Sequence, residues 1–233
     1  SERTDRGMRR TYPRIGFVDP HTNRLIELWL DGTLPSDDPL EGMRHWTLRY
    51  RLSRDAGRSF YHDGPVVHVG AEFSAAHPLP GVHVGKSSFM IGDKSCMPIA
   101  LENGDILQPV QITPTGPDGV YHNPGGGYTY HDSAVLIGRW NQAEHIEWTV
   151  SERIVGDPKR TTRGVLEPTI AQFADGRILM VMRGSNHRRP ELPGHKWFSV
   201  STDAGRTWSL PEPWTYDDDR PFHSPSSCSQ LLR

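Results

Sequence analysis

An octapeptide that occurs twice constrains this chain more than any other feature: SRDAGRSF at residues 53–60 and STDAGRTW at residues 201–208. Each copy follows an alternating apolar run, WTLRYRLS in the first case and HKWFSVS in the second, so strand, tight turn, strand is the natural reading. Asp55 and Asp203 can accept hydrogen bonds from the turn's own N–H groups, and Gly57 and Gly205 can take positive φ. Phe60 or Trp208 can cover the hairpin. A second repeat is a proline followed by two apolar strands around a turn: YPRIGFVDPHTNRLIELW, MPIALENGDILQPVQI, EPTIAQFADGRILMVMR and the shortened SPSSCSQLLR. Asn103-Gly104 and Asp175-Gly176 are strong hairpin formers within it.

Together the two repeats define a four-stranded unit. The middle unit lacks the octapeptide, and NQAEH joins its last two strands, DSAVLIGRW and IEWTVSERI. One four-stranded sheet cannot bury both faces, so successive units must stack, and radial stacking gives a β-propeller. The expectation is an all-β chain of about three four-stranded blades, at residues 11–90, 91–160 and 161–220, with the start of another at 221–233. Such a set does not close a ring, so the remaining blades, or self-association with a second chain, would complete it. Composition agrees: 23 Gly and 20 Pro suit many short strands joined by turns. With 35% apolar and 23% charged residues, neither disorder nor membrane insertion is expected. A net charge of −2 with scattered basic residues lacks the footprint of a nucleic-acid binder. Two cysteines, Cys96 and Cys228, offer no disulfide framework and no Cys-x-x-Cys pair, and they fix no compartment.

The octapeptides are Asp boxes, and with EPTIAQFADGRILMVMR the chain resembles the sialidase (neuraminidase) superfamily over essentially its whole length. That resemblance implies a sialidase-type propeller, six-bladed in the family, and hydrolysis of terminal sialic acids on a glycan substrate. It is sharpest at Glu167 and Arg183, sixteen residues apart as in bacterial sialidases. Both flank one hairpin at its open end, where their side chains can serve one site. In a sialidase the matching glutamate activates a tyrosine nucleophile, and the matching arginine is one of three that grip the substrate carboxylate through a planar fork. The general acid is expected from DGTLPSDDPLEGMRH, with Asp38 or Glu41 nearest its place. The family's opening Arg-Ile-Pro is TYPRI here, so Tyr12 or Thr11 stands where the first arginine would be, with Arg14 after the proline. The tyrosine nucleophile and third arginine are expected beyond residue 233.

Other residues are expected at the same rim. Tyr12, Cys96, Met97, Glu167, His223 and Ser224 precede the prolines, and Gln111 takes in the second unit the place of Arg183 in the third. GVYHNPGGGYTYHDSAV brings His122 and His131, with Tyr121, Tyr128, Tyr130 and Asp132, around a triple glycine. SNHRRPELPGHKW adds His187, Arg188 and Arg189. Imidazole, phenol and arginine also suit a polysaccharide lyase removing the proton α to a uronate carboxylate, and some ulvan-type lyases are propellers. A noncatalytic glycan- or protein-binding propeller is the third alternative. No cofactor is implied, and the spacing of His122, His131 and Asp132 fits no familiar zinc pattern.

Overall fold

A computed structural model of the chain describes residues 2–4, 7–34, 46–85, 91–92, 94–186, 188–221, 224 and 226–232. Among them it contains thirteen strands in three antiparallel sheets and no helix. The first sheet runs β1 (Glu2–Thr4), β2 (Gly7–Val18), β3 (Leu25–Leu34), β4 (Trp46–Ser53) and β5 (His62–Pro65). The second runs β6 (Ile99–Ala100), β7 (Ile106–Ile112), β8 (Asp132–Trp140) and β9 (Ile146–Val150). The third runs β10 (Leu166–Gln172), β11 (Ile178–Arg183), β12 (Lys196–Ser201) and β13 (Glu212–Pro213). Strand order equals chain order in every sheet, as consecutive hairpins require. The first sheet exceeds the expected four strands by β1, paired on β2 with Glu2 opposite Arg9.

Burial along the strands follows what lies on each face. Every residue of β7 is buried because both its faces are covered. Ile106, Val110 and Ile112 pack with Leu28, Leu48 and Tyr50 of the first sheet, while Leu107 joins Ile170, Ile178 and Met180 of the third. In β4, by contrast, Trp46, Leu48, Tyr50 and Leu52 are buried while Thr47, Arg49 and Arg51 between them are half-buried. Their face carries Trp29 with the guanidinium groups of Arg14, Arg49 and Arg51 within 6 Å of its ring, and an Arg51–Glu27 ion pair.

Both octapeptides turn as their residues dictate. Ser53 Oγ accepts the Gly57 N–H at 2.8 Å and Asp55 the Ser59 N–H at 2.8 Å. Ser201 and Asp203 repeat this with Gly205 at 2.9 Å and Thr207 at 2.9 Å. The glycines sit at φ 85° and 81°, and the preceding Ala56 and Ala204 are also left-handed, at 57° and 60°. Charged groups then stitch each sheet to the next. Glu144, in the turn that replaces the octapeptide of the second sheet, takes both Arg24 and Arg54 of the first. The fully buried Asp105 takes Arg139 at 2.7 Å and Arg206 of the second octapeptide at 3.2 Å. At this turn end, the first hairpins of all three sheets converge on one cavity of about 460 Å³ lined by His21, Leu101, Glu102, Phe173 and Asp175. Such convergence is what radial stacking produces.

Candidate functional site at the open strand ends

The opposite end of the third sheet gathers the charged groups. In its register Leu166 faces Arg183, and Arg183 faces Lys196, so the start of β10, the end of β11 and the start of β12 lie side by side. Between Leu166 and Thr169 the β10–β11 ladder slips, and Glu167 in that break adopts φ 50°. A left-handed glutamate is costly and persists only where its surroundings impose it. Two neighbours do so. Gln111, at the end of β7, accepts the Glu167 N–H on Oε1 at 2.8 Å. Gly92, at φ 93°, packs closely on Glu167: a Cβ there would stand 3.0 Å from Cys96 Sγ and 3.1 Å from Glu167 Cα.

The Glu167 carboxylate meets Arg183, whose Nη1 donates to Oε1 at 2.8 Å and Oε2 at 3.0 Å. Arg183 Nε donates to Ser226 Oγ at 3.0 Å, and Ser226 Oγ donates on to Gly184 O. Lys196 is buried beside them and donates Nζ to the Ser227 carbonyl. Burial, and then the charge of Arg183, pushes the Lys196 ammonium below its ordinary pKa. The segment bearing Ser226 and Ser227 is tied down further on, where the Leu231 N–H reaches Thr169 Oγ1 at 3.1 Å.

Arg163 joins the cluster from the turn that leads into β10. It is 5% exposed, and its Nε donates to Thr129 Oγ1 at 3.0 Å, with Nη2 on the same oxygen. Its guanidinium carbon stands 4.2 Å from the centre of the Tyr128 ring. Burial is the main influence lowering its pKa, partly opposed by Tyr128, and the charge of Arg183 adds to the lowering. An arginine nonetheless stays protonated.

The histidine-rich loop divides by burial. His122 is exposed, whereas His131 is fully buried, and burial followed by the charge of Arg163 pushes its imidazole down to about 3. Next to it, burial raises the Asp132 carboxyl to about 6 even though Arg153 lies at 3.5 Å. Burial also raises the phenols of Tyr121, to about 12, and Tyr130. Tyr130 donates its hydroxyl to Gly156 O at 2.7 Å.

Of the expected site residues, the structure thus brings together Glu167 and Arg183, with Gln111 beneath Glu167. Gln111 is 3% exposed, and its carbonyl is spent on the Glu167 backbone. Tyr12 stands half-exposed on β2, where the ladder slips between Thr11 and Arg14, and Arg14 turns to Trp29. Asp38, Glu41, His187 and His223 lie outside the described residues. Among the described residues no group of three or more His, Cys, Asp or Glu could hold a metal ion, and no helix is long and apolar enough to cross a membrane. Lys196, Arg163 and Gly92 were absent from the expectation. Lys196 could have been found by carrying the β11–β12 register one step past Trp197; a buried arginine carries no such mark.

Comparison with known proteins places these features in context. Residues 38–228 match the family described as the BNR repeat-like domain. No curated protein matches the chain. Among solved structures, it is similar to a protein of unknown function from Dyadobacter fermentans DSM 18053, with TM-score 0.56 and 13% identity over 87% of this chain and 50% of that one. A Hadza microbial sialidase, Hz136, gives TM-score 0.54 and 14% identity over 87% and 33%. The intramolecular trans-sialidase from Ruminococcus gnavus, in complex with oseltamivir carboxylate, gives 0.54 and 11% over 91% and 55%. The likeness is one of fold, a sialidase-type β-propeller in which the three sheets are successive blades. The chain spans between a third and just over half the length of these structures.

Proposed function

Since the chain belongs to the BNR repeat-like domain family and holds Glu167 against Arg183 at the open end of one hairpin, we propose that it forms part of a sialidase-like glycoside hydrolase acting on a terminal acidic sugar. The observation that carries this reading is the strained backbone of Glu167. Its φ of 50°, the Gln111 bond to its N–H and the tight contact with Gly92 fix the direction in which its carboxylate leaves the strand. Strain maintained by several neighbours is a mark of functional positions.

In the proposed reaction a tyrosine from outside this chain attacks the anomeric carbon while Glu167 accepts the phenol proton. Asp38 or Glu41 protonates the departing oxygen and then takes a proton from the water that releases the sugar. Arg183 holds the sugar carboxylate. Its Nη1 is engaged by Glu167 and its Nε by Ser226, and its Nη2 carries no hydrogen bond among the described residues, which leaves that arm for the substrate. The eliminative alternative takes His122 or His131 as base; His131 is fully buried and Tyr121 has its phenol raised to about 12, which leaves the exposed His122 as the base that reading would need.

Product analysis separates the classes. The full-length protein incubated with an α-sialoside is expected to release free sialic acid without a new ultraviolet chromophore. An unsaturated product absorbing in the near ultraviolet would replace hydrolysis by elimination. Saturable glycan binding with no product of either kind would make this a binding propeller.

A further inference from the structure

Arg163 is a cation in the wrong place for a structural residue. It is 5% exposed, yet it makes no ion pair among the described residues, and the one hydrogen-bonding partner of its guanidinium there is a neutral hydroxyl, Thr129 Oγ1. Buried guanidinium groups are ordinarily paired, since an uncompensated internal charge costs several kcal/mol. Of its five N–H donors, two are spent on Thr129. Those that remain are on Nη1 and Nη2, the edge whose parallel N–H bonds match a carboxylate.

The triple glycine explains how this arrangement is held. A Cβ on Gly125 would stand 2.3 Å from Thr162 O, and one on Gly127 would stand 2.7 Å from both Arg163 Cγ and Thr162 O. Only a loop without side chains at these positions can lie so close to the Thr162–Arg163 backbone. The Gly127 N–H bonds Thr162 O at 3.2 Å, and the His131 N–H bonds Arg163 O at 3.1 Å. Between these two anchors, Tyr128 lays its ring on the guanidinium and Thr129 takes its Nε. The loop therefore fixes the plane of the arginine fork, four residues ahead of Glu167 in the chain.

We propose that Arg163, clamped by the Gly125–Thr129 loop, is a carboxylate-binding residue that selects an acidic sugar over its neutral counterpart. This rests on reading the Glu167–Arg183 end as a sugar site, and it adds to that reading a second cationic arm, held in place by a loop of the neighbouring blade. Arg183 is already shared with Glu167 and Ser226, whereas Arg163 has no acidic partner among the described residues.

Binding to the full-length protein tests this without requiring turnover. The probes are free N-acetylneuraminic acid, its methyl ester and galactose 6-sulfate, titrated by calorimetry at two salt concentrations. The acid is expected to bind at least about tenfold tighter than the ester, and Arg163→Met is expected to lose most of that preference, what remains coming from Arg183. Arg163→Lys, which keeps the charge and loses the fork, should recover only part of the preference. Tyr128→Leu removes the stacked ring at an exposed position and should weaken the acid by about three- to tenfold, so the outcome does not depend on Arg163→Met folding. Equal binding of acid and ester by the wild type, an unchanged preference in both a folded Arg163 variant and Tyr128→Leu, or tighter binding of the sulfate would overturn the proposal. Glu167→Gln separates it from the hydrolase reading: acid binding that persists without any turnover, even in the wild type, leaves Arg163 standing and removes the hydrolase. Turnover with an unchanged acid preference in Arg163→Met does the reverse.

Discussion

At the scale of single residues, two adjacent buried groups pull stability in opposite directions as pH changes. His131 is held down to about 3 by burial and by the charge of Arg163. Between that value and the ordinary imidazole value of about 6.5, the unfolded chain carries the extra proton, so stability falls as pH is lowered through that window. Asp132 is raised by burial to about 6. Between the ordinary carboxyl value of about 4 and 6, the folded protein carries the extra proton, so stability falls as pH rises. Each group contributes at most about 1.4 kcal/mol per pH unit, and the two largely cancel from about pH 4 to 6. Urea unfolding across that range should therefore show stability rising with pH in Asp132→Asn, where only the histidine acts, and falling with pH in His131→Asn. Identical slopes in both variants and the wild type would show that neither group titrates as its burial dictates.

At the scale of the element, the octapeptide hairpins hold their shape through short side chains and one glycine each. In Asp55 the hydrogen bonds from Ser59 and then Ser53 lower the carboxyl to about 2. In Asp203 desolvation works the other way, but the bonds from Thr207, Ser201 and Arg206 together bring it to about 2. The glycines differ in what surrounds them. A Cβ on Gly205 would lie 2.9 Å from Leu107 Cδ1 and 3.4 Å from Val135 Cγ2 on the neighbouring sheet, whereas one on Gly176 would meet nothing within 4 Å. Both have positive φ, at 81° and 88°. Gly176→Ala should thus cost about 1 kcal/mol for the backbone alone, and Gly205→Ala about 2 to 4 kcal/mol because overpacking is added. Equal losses in denaturant unfolding would mean that the Gly205 turn is not wedged against the second sheet. These hairpins were legible in advance because their chemistry is local: Asn103-Gly104, Asp175-Gly176 and the two Asp boxes each state their own turn. The Glu167–Arg183 pair was legible for the same reason, by counting outward from one turn. Arg163 and Gly92 were not, since their surroundings come from other sheets: Thr129 lies 34 residues before Arg163, and Gly92 meets Glu167 across the boundary between blades.

At the scale of the whole molecule, the blades are joined by apolar interfaces and by a few shared carboxylates, and the carboxylates are not equivalent. Asp105 is fully buried with two arginines on it, whereas the Glu144 side chain, also holding two, is 38% exposed. Removing Asp105 leaves Arg139 and Arg206 to water, with side chains 63% and 48% exposed, but forfeits buried charge-assisted bonds from both and from Asn103, so Asp105→Ala should cost about 1.5 to 3 kcal/mol, while Glu144→Ala should cost under about 1 kcal/mol because water screens the pair. A larger loss at Glu144, read from thermal unfolding of the two variants, would reverse this account of how the second blade is held. The stacking serves the site by bringing Gln111 and Gly92 against Glu167, and the loop of Tyr128 and Thr129 against Arg163. So held, Glu167 is proposed to accept a proton in the reaction rather than merely to close a hairpin. The most direct test is the turnover of an α-sialoside by the full-length protein and its Glu167→Gln variant, alongside their melting temperatures. Loss of at least about 10²-fold in kcat with a near-native melting temperature is the result expected of a proton-accepting glutamate; unchanged turnover in a folded Glu167→Gln protein would contradict it.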